Sequence, residues 1–548
     1  MQHPWHAHYP AGMPTSLDTS GPQTVVTLLE HSFERYRDSD AYVFMGHTLR
    51  YGDVDALSRA LAAWLQAQAL QQGDCVAIML PNLPGFPVAM AAVLRAGLVA
   101  VNINPLYTPR ELQHQLQDSG AKAIVILDRF VPTLDAVVAH TDVATVLVAA
   151  DTDLLGLPAG AALPALAEGG SSFVDAICQG RSLPYRPPVL QPSDPAVLQY
   201  TGGTTGVSKG ATLLHRTLVA NLLASEAWLQ PGLQRRPRST QFTIVCALPL
   251  YHVFAFVACS LLGMRAGARN ILIPNPRDQT AMIAQLLPYK LHMFPAVNTL
   301  FGALLQHPDF AQLDFSELCI SNGGGSPVQA AVASRWLAVT GCPITEGYGL
   351  SETAAAVVCN RTDLEAFSGD IGLPMPGVHI RMLDLNLANM GQDVPLGQPG
   401  EIAIHGPQVM AGYWKRPEDT AAAMTADGYF LSGDIGVMDA QGRIRIIDRK
   451  KDMLLVSGFN VYPNEIEAVL AQHPGVLECA AVGVPDAVTG EAVKLVVVKK
   501  DPAVTEADLL DFCAEQLTGY KRPRKVEFIA ALPRSALGKV LRRELRTV

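Results

Sequence analysis

Short apolar runs and longer amphipathic stretches alternate through the first 150 residues. Val25, Leu28, Leu29 and Phe33 recur at helical spacing within 24–36. A second helix, rich in Ala and Leu, is expected over 55–70. The period then switches repeatedly, giving strands at 75–80, 99–103, 123–127 and 143–149 and helices at 88–96 and 109–118. Such alternation predicts a mainly parallel sheet covered by helices. From 151 to 195 Gly, Pro and Ala dominate and periodicity fades, which reads as irregular connection running into an apolar strand, Ala196-Val197-Leu198. A second alternating block spans 244 to about 350, with a strand at 270–273, a helix over 282–287, and 318–321 running into Gly323-Gly324-Gly325. The pattern then becomes strand-like at 378–383, 401–405 and 443–447. The last hundred residues read as a self-contained series: strand 453–456, helix 464–473, strands 477–484 and 493–498, helix 506–517, strand 525–529. Thr505 and Asp508 have capping-box spacing at the last long helix. The expected class is α/β: a large N-terminal domain (1–448) of parallel-type sheets with helices plus a β-rich subdomain, then a small α+β C-terminal domain (449–548).

Composition narrows the function. A chain of 548 residues is too long for one core. With 49% hydrophobic and 17% charged residues it suits a well-buried enzyme and excludes general disorder. A net charge of −9 argues against a nucleic-acid partner. Nine cysteines without a CxxC pair argue against a disulfide scaffold or structural zinc, and fit a reducing cytoplasm. Residues 1–20 lack the basic start and apolar run of a secretory signal. The uncharged stretch 243–264 is long enough to span a bilayer, but Pro249, Tyr251 and His252 interrupt it. A buried strand–loop–helix is expected there.

The stretch Tyr200-Thr201-Gly202-Gly203-Thr204-Thr205-Gly206-Val207-Ser208-Lys209-Gly210 interleaves glycines, hydroxyls and one cation. Free backbone N–H groups, hydroxyls and an ammonium suit a polyphosphate. It is not a Walker A loop, because Ser208-Lys209-Gly210 stands where Gly-Lys-Ser/Thr is needed. Taken alone, a Gly/Thr-rich surface turn would look the same. Four further motifs follow in order: Gly347-Tyr348-Gly349-Leu350-Ser351-Glu352-Thr353, Ser432-Gly433-Asp434, Asp448-Arg449-Lys450-Lys451-Asp452, and Gly538-Lys539. Together they resemble the acyl-adenylate-forming superfamily of acyl-CoA synthetases, luciferases and adenylation domains. The segments 104–112 and 456–467 give it the flavour of the bacterial long-chain fatty-acid–CoA ligase branch.

The resemblance implies a reaction in two steps. A carboxylate attacks the α-phosphorus of ATP, giving an acyl-adenylate and pyrophosphate, and the thiol of CoA then releases AMP. The first step brings an anion to a polyanion, so cations and oriented dipoles must be supplied. The resemblance makes Lys539 the cation on carboxylate and α-phosphate, and Glu352 the Mg²⁺ ligand. Thr205 and His252 join them in the catalytic set, His252 at the mouth of an acyl site that Val253, Phe254, Phe256, Val257, Val297 and Leu300 could line. Thr201, Gly202, Gly203, Thr204, Thr205, Gly206 and Lys209 would hold phosphates. Gly323, Gly324, Gly325, Tyr348 and Gly349 would border adenine, and Asp434 and Arg449 the ribose side of the nucleotide. Ser457 and Gly458 would pass the pantetheine arm, with Lys521 and Arg522 as weaker contacts for CoA phosphates. Each has a plainer reading: helix-start glutamate, core tyrosine or histidine, surface lysine, surface ion pair. Luciferase-type members carry a lysine seven residues past the hinge aspartate; this chain has Leu455 there, so that role is not carried over. The Asp448/Arg449 boundary would be the hinge.

The expected activity is ligation of a medium- to long-chain fatty acid to CoA. Rivals are an aryl- or short-chain acyl-CoA ligase, an acyl-AMP ligase loading a carrier protein, and a non-catalytic acyl or nucleotide sensor. The expected compartment is the cytoplasm, with a peripheral contact at the inner face of the membrane and a homodimer left open.

Overall fold

In a computed structural model, residues 3–18, 21, 23–155, 171–201, 208–385, 391–457, 459–486, 488–534 and 540–546 are described. They pack into two compact units, one from residues up to 201 with 208–379 and 405–422, the other from 380–404 with 423 onward.

The first unit holds two sheets. In the seven-stranded sheet the order is Ser171–Ser172, Thr145–Ala149, Ala123–Leu127, Cys75–Met79, Val99–Asn102, Pro195–Tyr200, Gly210–Leu214. All neighbours are parallel except the last pair. Its strands are near-continuous Val, Ile and Ala because both faces are covered, as parallel sheets require. The nine-stranded sheet has a parallel centre of Asp40–Phe44, Arg269–Leu272, Thr243–Cys246, Met293–Ala296, Ile320–Gly323 and Ile344–Leu350. Antiparallel strands close both of its ends. One of its cores gathers Phe294, Phe301, Phe310 and Trp336, whose rings meet edge-on or tilted.

The expected α/β alternation is present, and local chemistry explains its punctuation. Thr24 caps the helix Val25–Arg35 by accepting from the Thr27 amide (3.1 Å). Thr108, Pro109 and Glu111 open Pro109–Ser119 as a capping box, and Gly120 closes it at φ 69°. The helix expected over 55–70 runs from Tyr51 to Gln66. The stretch read as irregular connection contains a helix, Phe173–Gly180, capped by Ser172. Residues 243–264 do split into the strand Thr243–Cys246 and helical turns from Val253 onward, including a π-helical stretch, Phe256–Leu261. Among the described residues no helix is long and apolar enough to cross a membrane.

The second unit holds most of a four-stranded sheet, ordered His379–Leu383, Gly400–His405, Phe430–Met438, Ile444–Arg449. It also holds a five-stranded sheet in which Val476–Asp486 and Gly490–Lys499 form a long antiparallel pair. Pro463–Leu470 and Glu506–Gln516 bury Ile466, Leu470, Leu509 and Cys513 against it. Thr505 and Asp508 form the expected capping box.

Candidate functional site

In the first unit two antiparallel strands flank the candidate phosphate turn. Pro195–Tyr200 enters and Gly210–Leu214 leaves, so a strand, not a helix N-terminus, follows the turn. Gly202, Gly203, Thr204, Thr205 and Gly206 lie outside the described residues. The rim is well fixed. The Thr201 amide donates to the Lys209 carbonyl (3.0 Å), and Ser208 Oγ to the Thr201 carbonyl (2.7 Å). Tyr200 Oη donates to Asp118 Oδ2 (2.8 Å), and Arg416 pairs with the other oxygen of Asp118. Burial and the Asp118 charge hold the Tyr200 phenol far above its usual range, so it stays a donor. Lys209 Nζ lies 2.6 Å from Asp419 Oδ1 and 5.2 Å from the Tyr413 ring centre.

Glu352 is buried in the 3₁₀ turn Ser351–Thr353 that follows the strand Ile344–Leu350. Tyr413 Oη donates to its Oε1 (2.8 Å), and the Met410 amide donates to its carbonyl (2.7 Å). Tyr348, on that strand, is buried. A Cβ on Gly349 would overlap the Ala355 carbonyl, so the bulged pairing with Ala355–Cys359 demands glycine there.

The Gly323–Gly325 turn ends the strand Ile320–Gly323. A Cβ on Gly323 would meet Val328 Cγ2 at 2.6 Å, and one on Gly324 would meet the Phe254 ring at 3.0 Å. Only Gly325 is left-handed, at φ 74°, with Val297 beside it. Phe254 and Val297, expected to line an acyl site, thus adjoin the turn expected to border adenine. His252 is half-buried and caps the short helix Val253–Ala255, its Nδ1 accepting from the Phe254 amide (3.3 Å). The preceding loop is pinned by Asn82, which donates to the carbonyls of Cys246 and Leu248 and accepts from the Leu250 amide.

In the second unit Asp434 and Arg449 face each other across neighbouring strands. Arg449 Nε lies 2.9 Å from Asp434 Oδ1, and Asp434 is only 2% exposed. The carboxylate of the pair is buried, while the Arg449 side chain is 38% exposed. Asp448 accepts from the Arg449 and Asn464 amides, and burial raises its carboxyl to about 6. Ser457 stands at φ 52°, its amide donating to the Thr489 carbonyl (2.8 Å). It lines a cavity of about 230 Å³ with Thr489, Tyr520, Arg522 and Arg524. Lys521 is tied to both oxygens of Glu465. Leu455 is exposed. Gly458 and Lys539 lie outside the described residues. Beyond Lys539, Arg542 makes bonds to Glu467 and Asn464 and lies 3.5 Å from Asp452.

The residues that sequence reasoning missed are Asp118, Asn82, Tyr413, Arg416, Asp419 and Arg524. The aromatic pair Tyr413-Trp414 before the charged turn Lys415-Arg416-Pro417-Glu418-Asp419 was the available signal.

Glycine-bordered turns, the buried carboxylate of Glu352 and the Asp434–Arg449 pair are the features a nucleotide-handling enzyme needs. The chain belongs to the AMP-binding enzyme family: that family's model matches residues 29–414, and the AMP-binding enzyme C-terminal domain matches 465–539. It is 48% identical over 559 residues to a long-chain-fatty-acid–CoA ligase of Escherichia coli O6:H1, covering 100% of this chain and 98% of that one. A ligase of the same name from Haemophilus influenzae is 42% identical over 561 residues, covering 100% and 98%. Among solved structures, ATP-bound MatB from Rhodopseudomonas palustris matches with a TM-score of 0.82 at 30% identity, covering 96% of this chain and 98% of that one.

Proposed function

We propose that the chain is an ATP-dependent ligase that converts a medium- to long-chain fatty acid to its acyl-CoA through an acyl-adenylate. The observation that carries this reading is full-length identity of 42–48% to relatives named for that reaction. The apolar walls beside the Gly323–Gly325 turn, Phe254 and Val297 among them, suit an alkyl chain whose carboxylate must reach a nucleotide.

In the first half-reaction the fatty-acid oxygen bonds to the α-phosphorus and the bond to pyrophosphate breaks. Lys209 and the threonines of the turn neutralise and orient phosphate oxygens, and Lys539 meets the charge shared by carboxylate and α-phosphate. Asp434 accepts from ribose hydroxyls, with Arg449 holding its carboxylate in place. Glu352 would hold Mg²⁺, which when bound offsets phosphate charge. Among the described residues no group of three or more His, Cys, Asp or Glu could hold a metal. One buried carboxylate suits Mg²⁺, which takes one or two protein ligands and shares substrate phosphates. In the second half-reaction the CoA sulfur attacks the acyl carbonyl and AMP leaves. The arginine-lined cavity beside Ser457 would meet the anionic part of CoA. The hinge is proposed at Asp448/Arg449, between domains 1–448 and 449–548. A peripheral membrane contact is part of the proposal, because a long acyl chain partitions into bilayers.

The test is pyrophosphate and AMP release across acids from acetate to oleate plus an aromatic acid, with and without CoA. Highest kcat/KM is expected for the medium and long acids. Turnover confined to acetate or the aromatic acid would replace the substrate assignment, and no AMP with any acid would remove the ligase reading.

A further inference from the structure

The segment 410–420 is stitched to both edges of the candidate ATP site, although no motif marks it. The Ala411 amide donates to the Thr212 carbonyl (3.0 Å), and the Thr212 amide to Gly412 (2.9 Å). The Trp414 amide donates to Gly210 (2.8 Å), the first residue of the strand leaving the phosphate turn. At the other edge the Met410 amide holds the Glu352 carbonyl. Between these ties the Tyr413 amide donates to Thr420 Oγ1 (2.9 Å), which fixes the residue's backbone. A Cβ on Gly412, at φ 145°, would meet Thr420 at 2.8 Å, so the clasp also needs glycine there. The side chain so aimed reaches Glu352 Oε1 and passes beneath Lys209 Nζ.

We propose that Tyr413 is a positioning residue for Glu352, setting the rotamer in which that carboxylate meets the Mg²⁺ of bound ATP. A tyrosine serving only to fill space would need its ring alone. Here the hydroxyl ends on the one carboxylate that the nucleotide chemistry requires, and the backbone behind it is anchored to Gly210 and Thr212 on the strand that leaves the phosphate turn. A buried carboxylate already held by a hydrogen bond loses fewer rotamers on taking a cation. The proposal rests on Glu352 as the metal ligand.

The test is Tyr413→Phe, which removes one oxygen and keeps the ring. Calorimetric titration of ATP at a series of Mg²⁺ concentrations needs no acyl substrate, so it reads this proposal apart from the ligase assignment. The half-saturating Mg²⁺ for ATP binding should rise about tenfold, the size of one lost hydrogen bond to a charged group. Glu352→Ala, which removes the acceptor, should raise it too, and adding Y413F to E352A should change it no further. Thr420→Val, which loosens the backbone behind the ring, should give a smaller rise of the same kind. Mg²⁺ dependence unmoved in Y413F, or Y413F acting in full on the E352A background, would overturn the proposal.

Discussion

Glu346 sits two residues before Tyr348, 7% exposed, with the Val328 amide donating to its Oε1 (2.8 Å). Burial raises its carboxyl to about 7, with Asp370 adding a like charge. An unfolded chain would titrate it near 4.5. Between these values the folded state binds the extra proton. The contribution to stability is therefore complete below pH 4.5 and is lost as pH rises through 7. Glu346→Gln keeps an acceptor for Val328 and removes the buried charge. It should leave stability at pH 4.5 little changed and raise it at pH 8 by up to about 3 kcal/mol, measured by urea unfolding at both pH values. A rise of equal size at both would assign the gain to packing instead. At this scale the sequence was legible only where composition was unusual. Lys209 and Glu352 stood out among glycines and hydroxyls. Tyr413 did not, because its partner Glu352 is 61 residues away and nothing local distinguishes a tyrosine that fills a core from one that aims at a carboxylate.

Elements were legible where period and caps agreed. Cys75–Met79, between Asp74 and the Leu80-Pro81 break, and Ala123–Leu127, between Lys122 and Asp128, are short apolar runs, and Thr108, Pro109 and Glu111 announce their helix. The helix Phe173–Gly180 was misread because it is short and lies among Gly, Pro and Ala, where pattern is weak. What makes it a helix is packing against Tyr51–Gln66: a Cβ on Gly180 would overlap the Ala60 carbonyl, and Trp64 Nε1 donates to Gln179 Oε1 (3.0 Å). Glycine at a helix end usually signals a stop, yet here its value is the close approach it permits. Gly180→Ala should destabilise the first unit by about 1–3 kcal/mol through overpacking, despite alanine's better helix propensity. Gly73→Ala, where nothing lies within 4 Å but φ is 89°, is the comparison: its cost would come from backbone strain alone. A thermal shift for G180A no larger than for G73A would refute the packing account.

At the scale of the whole molecule the two proposed half-reactions draw on different groups: Lys209 and Lys539 for the first, the cavity beside Ser457 for the second. The order of the five motifs was legible because each has few residues that could replace it. The packing of 380–404 and 423–447 with the C-terminal segment was not, since their antiparallel strands carry no chemistry of their own. Lys539 should matter to the anionic first step far more than to thiol attack on a neutral carbonyl. Lys539→Ala is expected to lower pyrophosphate release with fatty acid by at least about 10²-fold, the cost of one stabilising group on developing charge. Thioester formation from preformed acyl-AMP should fall much less. Arg542, three residues on, gives that division a structural check. Its guanidinium is held by Glu467, Asn464 and Asp452, and lies 3.8 Å from the Asp448 carboxylate. This ties the described residues that follow Lys539 to Asp448, where the hinge is proposed. Arg542→Met should therefore reproduce the K539A pattern in weaker form, with the first half-reaction hit harder than the second. Equal losses in both half-reactions for K539A would mean the lysine serves folding of the C-terminal segment, and the electrostatic account of the first step would have to be rebuilt around Lys209.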